Sequence, residues 1–97
     1  MAEEEKIASE GEEKKLVGKV THYYGKIGVA VVEVEDEINV GDTISIEGAV
    51  TNFRQTVDSM QIEHEPIQTA KKGDAIGLKV TDKVREGDNV YKIISSG

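Results

Sequence analysis

The chain of 97 residues has no cysteine and no tryptophan, one proline, and only three tyrosines and one phenylalanine. The missing cysteines exclude disulfides, thiolate metal sites and a cysteine nucleophile. They fit a reducing compartment, so the cytoplasm is the expected location. With so few aromatic rings, platforms on which nucleic-acid bases could stack are scarce. No stretch approaches the roughly 18 consecutive apolar residues of a spanning helix, so no membrane span is expected. No Gly-x-x-x-x-Gly-Lys-Ser/Thr segment occurs, which argues against a phosphate-cradling loop and against nucleotide hydrolysis. The acidic start, Met-Ala-Glu-Glu-Glu, reads against a secretory signal or transit peptide. A chain this short has room for one small domain and little from which to build the interdomain pocket of a large enzyme. No cofactor and no metal are called for.

What the sequence does have is charge: 32% of its residues are charged, and the net charge is −7. Residues 1–13 hold six glutamates and one lysine, so most of the acidity belongs to this stretch and the remainder carries only −2. A block of like charge is usually a solvated arm. Residues 1–14 are therefore expected to form a flexible acidic arm, and residues 15–97 a single β domain. A remainder so near neutrality neither calls for nor forbids an anionic partner.

Beyond the arm, apolar residues recur with period 2, the signature of strands. Strands are expected over 16–23, 27–35, 43–47, 52–62, 67–70, 75–81 and 90–94. In the second, Ala30, Val32 and Val34 point to one face and Val29, Val31 and Glu33 to the other. In the third, Ile44 and Ile46 point in, and Thr43, Ser45 and Glu47 out. The step from Val57 to Met60 breaks the alternation of the fourth, which predicts a bulge near Asp58 and Ser59. Pro66 marks a strand edge or start, since proline cannot donate to a ladder. Three Gly-Asp pairs, at residues 41–42, 73–74 and 87–88, each precede a strand. Glycine allows positive φ and aspartate can bond the nearby backbone, so these pairs read as repeated turn chemistry.

Several residues invite a functional reading. His64 between Glu63 and Glu65 could bind a metal or move protons, or belong to a polar loop that orients the strand after Pro66. Ser59 could be a nucleophile if a base lay in reach, or simply a side chain at the bulge. Tyr23 and Tyr24 beside Lys26 could stack on bases, or pack over one end of the domain. Lys71 and Lys72, with Lys79, Lys83 and Arg85, could contact phosphates, or form an ordinary solvated face.

Residues 57–80, V-D-S-M-Q-I-E-H-E-P-I-Q-T-A-K-K-G-D-A-I-G-L-K-V, resemble the second, β-barrel domain of translation GTPases. The likeness is closest to the archaeal and eukaryotic aminoacyl-tRNA-delivering elongation factor. Val57, Ser59, Met60, His64, Glu65, Pro66, Ile67, Ala70, Gly73, Asp74, Ile76 and Gly77 carry it. Gly18-Lys19-Val20, Val40-Gly41-Asp42 and the turn of residues 85–88 extend it. Residues 23–37 are longer than that family's usual hairpin. They are more similar to the small C-terminal barrel of U32-family peptidases, which has a Val-Glu run before its Gly-Asp turn. The resemblance implies an all-β fold, a small closed antiparallel barrel of about seven strands. It implies a non-enzymatic binding module whose partner is tRNA, the ribosome or a translation protein. The alternative it implies is a detached accessory subunit of a U32-type peptidase-like catalytic chain, steering its substrate. In elongation factor Tu a Glu and an Arg on the strand equivalent to 57–62 help hold the aminoacyl end of tRNA. Asp58 and Gln61 stand at those positions here, and a neutral amide does not replace a guanidinium fork. The residues expected to carry binding are Tyr23, Tyr24, Arg54, Asp58, Gln61, His64, Lys71 and Lys72.

Overall fold

The computed structural model describes the backbone of residues 12–96 and the side chains of residues 13–94. Residues 1–11, most of the expected acidic arm, lie outside the described residues. Strand β1 is Glu12–Tyr24, so it takes in residues 12–14, the last three of the stretch read as arm. Then come β2 (Val29–Val34), β3 (Ile38–Asn39), β4 (Thr43–Glu47) and β5 (Asn52–Thr56). They are followed by β6 (Met60–Ile62), β7 (Glu65–Ile67), β8 (Thr69–Ala70), β9 (Ala75–Lys79) and β10 (Asn89–Ser96). Valine and isoleucine fill these segments because branched side chains suit a pleated, half-buried surface. Eight strands form one antiparallel sheet in the order β5-β4-β10-β1-β2-β9-β6-β7, while β3 and β8 pair separately.

No sheet closes into a barrel, which corrects the expected closed seven-stranded form. The reason lies in residues 52–62. They are not one bulged strand but two strands, β5 and β6, separated by residues 57–59. β5 forms one edge of the large sheet, whereas β6 lies next to the opposite edge strand. Four Cα steps from Thr56 to Met60 span at most about 15 Å, so the sheet must curl until its two ends become neighbours. No backbone ladder joins those ends. The buried Gln55 side chain spans the seam instead. Its Nε2 donates to the Lys79 carbonyl at 2.8 Å, and its Oε1 accepts the Thr81 N–H at 2.8 Å. The remaining edge strand, β7, contains Pro66, which blunts it against further pairing.

The curled sheet encloses the core. Ala30, Val32 and Val34 of β2, Ile44 and Ile46 of β4, and Ile76 and Leu78 of β9 are buried there, as the alternation predicts. β3 and β8 add Ile38 and Ala70, and Tyr23 and Phe53 pack at the periphery. Each fully buried Val or Ile contributes about 1.5–3 kcal/mol. Ser45 departs from the alternation: it is buried as well, and its hydroxyl donates to Glu47 at 2.7 Å. The register shifts fall elsewhere: in β1 against β2 between Val20 and His22, and in β10 against β1 between Val90 and Tyr91 and between Ile93 and Ser95. β1 is flanked by both β10 and β2 at Gly18. A Cβ there would meet Val32 Cγ1 at 2.7 Å, so only glycine fits.

The three Gly-Asp pairs close three turns of one design. Gly41, Gly73 and Gly87 have φ of 100°, 96° and 93°, the positive value that a type II turn demands at its third position. In each, the aspartate Oδ2 accepts the N–H of the turn's first residue at 2.8 Å: Asn39, Lys71 and Arg85. The aspartate N–H returns a bond to that residue's carbonyl at 3.0, 2.9 and 3.1 Å respectively.

Candidate functional site

β6 and β7 pair Ile62 with Glu65, which leaves Glu63 and His64 as a two-residue hairpin loop. Such loops favour turns with positive φ at both central residues, usually Asn-Gly. Here Glu63 sits at φ 50° and His64 at φ 69°. A side chain in this left-handed region costs roughly 1–2 kcal/mol per residue, so the hairpin tip is strained at two adjacent residues.

A shallow groove of about 210 Å³ lies behind this tip, lined by Val31, Gln61, Glu63, His64, Ala75, Ile76 and Gly77. Three neighbouring strands build it. Gly77 of β9 is paired with Val31 of β2 on one side and Gln61 of β6 on the other. A Cβ on Gly77 would come within 3.3 Å of both Gln61 Cγ and Val29 Cγ1, so the floor is open only because this residue is glycine. The floor is small and apolar. Gln61 offers an amide that both donates and accepts, and Glu63 and His64 bring a carboxylate and an imidazole to the mouth. This arrangement suits an extended polypeptide laid across the strands. It holds no serine, threonine or cysteine beside a base, and among the described residues no group of three or more His, Cys, Asp or Glu side chains is placed to hold a metal.

Of the eight residues expected to carry binding, the structure places Gln61 and His64 in this groove. Asp58 is exposed in the 57–59 crossing. Arg54 lies on edge strand β5 opposite Ser45, close enough to Glu47 to favour its ionised form. Tyr24 is exposed, its ring edge-on to His22 at 4.4 Å, and His22 Nδ1 is 3.1 Å from Glu86 Oε2. Tyr23 turns the other way, toward the core. Lys71 and Lys72 occupy the second Gly-Asp turn, where Lys72 borders a depression with Glu33 and Glu35. The expected basic patch is therefore divided. Lys79 Nζ donates to the Ile27 carbonyl at 3.2 Å, while Lys83 and Arg85 line a separate cleft with Tyr23.

Two carboxyls are held below their ordinary range, both away from the groove. Asp36 is lowered by a hydrogen bond from Lys15 and by the Glu37 N–H. Glu47 is lowered by Lys14, whose Nζ is 2.5 Å from Glu47 Oε2, and then by the Ser45 hydroxyl. Sequence reasoning missed Glu63 as a strained position and Gly77 as the groove floor. The one available signal was the spacing of two short strands around Glu63 and His64.

The family model of the peptidase family U32 C-terminal domain matches residues 12–90. An uncharacterized protease of Methanocaldococcus jannaschii is 43% identical over 76 residues, covering 77% of this chain and 19% of that protein. A collagenase of Porphyromonas gingivalis is 37% identical over 82 residues, covering 82% of this chain and 23% of that protein. The chain thus spans about a fifth of the curated relatives it matches. A crystal structure of the C-terminal domain of a putative U32 peptidase from Geobacillus thermoleovorans superimposes with a TM-score of 0.76 at 21% identity. It covers 80% of this chain and 91% of that one, and it shows the fold alone. None of these matches supports a translation-factor domain.

Proposed function

Because the chain belongs to the family of peptidase U32 C-terminal domains, we propose that it is a non-catalytic accessory module. It acts in the cytoplasm beside a U32-type catalytic chain, receiving an extended polypeptide and steering it without cutting it. The observation that carries this reading is the extent of the match. It runs over residues 12–90 of this chain, yet this chain covers only 19–23% of relatives named protease and collagenase. On this reading the cutting groups belong to the part of those proteins that this chain does not cover. The groove over Gly77 is the receiving surface, and Gln61 and His64 are the residues that touch the polypeptide. The strain at Glu63 and His64 supports this choice, since strained backbone concentrates at functional sites.

The test is a pull-down of the tagged chain from lysate of its own source, with and without nuclease. A nuclease-resistant partner identified as a U32-type peptidase is the expected result. Recovery of transfer or ribosomal RNA alone, lost on nuclease treatment, would replace this reading with a translation partner.

A further inference from the structure

We propose that a second cleft, at the end of β1, is a carboxylate-binding site that takes the free carboxyl terminus of a polypeptide. The cleft has a volume of about 440 Å³ and is lined by Tyr23, Val50, Thr51, Lys83, Val84 and Arg85. That size falls within the range of small-ligand pockets. Two cations face it, and no acid lines it, although the chain as a whole carries −7.

The nearby acids are engaged elsewhere. Asp82 Oδ1 accepts the Lys83 N–H and Asp88 Oδ2 accepts the Arg85 N–H, each at 2.8 Å, while Glu86 pairs with His22. Among the described residues neither the Lys83 ammonium nor the Arg85 guanidinium has an ion-pair partner. A second observation points the same way. Thr51 is only 6% exposed and lines the cleft, and its hydroxyl has no hydrogen-bond partner among the described residues. Buried hydroxyls are usually paired, so this one is poised for a ligand oxygen. The other lining residues are an aromatic ring and two aliphatic side chains: Tyr23, Val84, and Val50, which is 69% exposed.

An anion set beside an apolar group is the chemistry of a chain terminus, a carboxylate next to its own side chain. Arginine forks match a carboxylate in two parallel bonds, and lysine adds a point charge. A nucleic-acid backbone would require a run of cations along its track, and only two stand here. The choice of a polypeptide rests on the accessory reading above; the anion preference rests on the cleft.

The probes are an N-acetylated tripeptide ending in leucine, the same peptide with an amidated terminus, and inorganic phosphate. Each is titrated into the full chain and followed by backbone amide NMR shifts. The free acid is expected to shift Thr51 and residues 83–85 saturably, and the amide to bind at least about tenfold more weakly. The double substitution Lys83→Ala/Arg85→Ala should abolish the difference, whereas Lys71→Ala/Lys72→Ala should leave it intact. The comparison of acid with amide needs no altered protein, so a misfolded variant cannot mask the result. Equal affinity for acid and amide would overturn the proposal. So would phosphate binding at these residues as tightly as the peptide. If the free acid binds while the pull-down yields no peptidase, the carboxylate site stands and the accessory reading falls. The reverse removes only the cleft.

Discussion

Glu63 and His64 hold backbone angles that their side chains disfavour, φ 50° and 69°, in a turn with no glycine. Replacing the pair by Asn and Gly, the residues such a turn prefers, should stabilise the domain by roughly 1–2 kcal/mol. Urea unfolding checks this, and peptide binding in the groove should weaken at the same time. A variant that is no more stable would mean that the turn is not strained. The sequence showed the Glu-His-Glu cluster plainly, and its carboxylates and imidazole suggested metal or proton chemistry. It could not show that two of the three form a hairpin tip, because that depends on the pairing of Ile62 with Glu65. Glu47 offers a second test at this scale. Its carboxyl is more acidic in the folded chain than its ordinary value of 4.5, chiefly through Lys14. Such a group favours folding above that value, and the contribution is lost as pH falls through the folded-state value. Wild type should therefore exceed Glu47→Gln in stability at pH 7 by less than about 1 kcal/mol, as for a partly exposed pair. The gap should close in denaturant titrations carried out well below pH 4.5. A gap that persists in acid would assign the stabilisation to packing.

Elements that alternate strictly were legible from their residues alone. β4 runs over the expected residues, and the inward face of β2 is as read. The three Gly-Asp turns were legible too, because glycine and aspartate act there through bonds only three residues long. Residues 52–62 were not. Side-chain period records which face is buried and says nothing about which strand lies alongside, so a chain crossing a seam looked like a bulge. Gln55 is where that crossing is secured. Gln55→Leu would leave the Lys79 carbonyl and the Thr81 N–H without their partner, at a cost of about 1–3 kcal/mol. Denaturant unfolding should register the loss, and the Thr81 amide should exchange with solvent faster than in wild type. Unchanged exchange at Thr81 would show that the side chain does not hold the seam.

At the scale of the whole molecule, the groove and the cleft each gather residues that are far apart in sequence. Val31, Gln61 and Gly77 meet only once β2, β9 and β6 are ordered side by side. Tyr23, Thr51 and Arg85 meet only because the curled sheet brings the β1 end, the β4–β5 turn and the third Gly-Asp turn together. That is why Gln61 and His64 could be named in advance while their common surface could not, and why Lys83 and Arg85 read as part of a patch that the fold divides. The central claim is that this domain receives polypeptide and does not cut it. The most direct measurement mixes the chain with fluorescently labelled gelatin, following binding by anisotropy and integrity by gel electrophoresis. The account predicts saturable binding that weakens when Gly77→Val fills the groove floor, with the gelatin intact throughout. Cleavage by the purified chain, or binding indifferent to Gly77→Val, would contradict it.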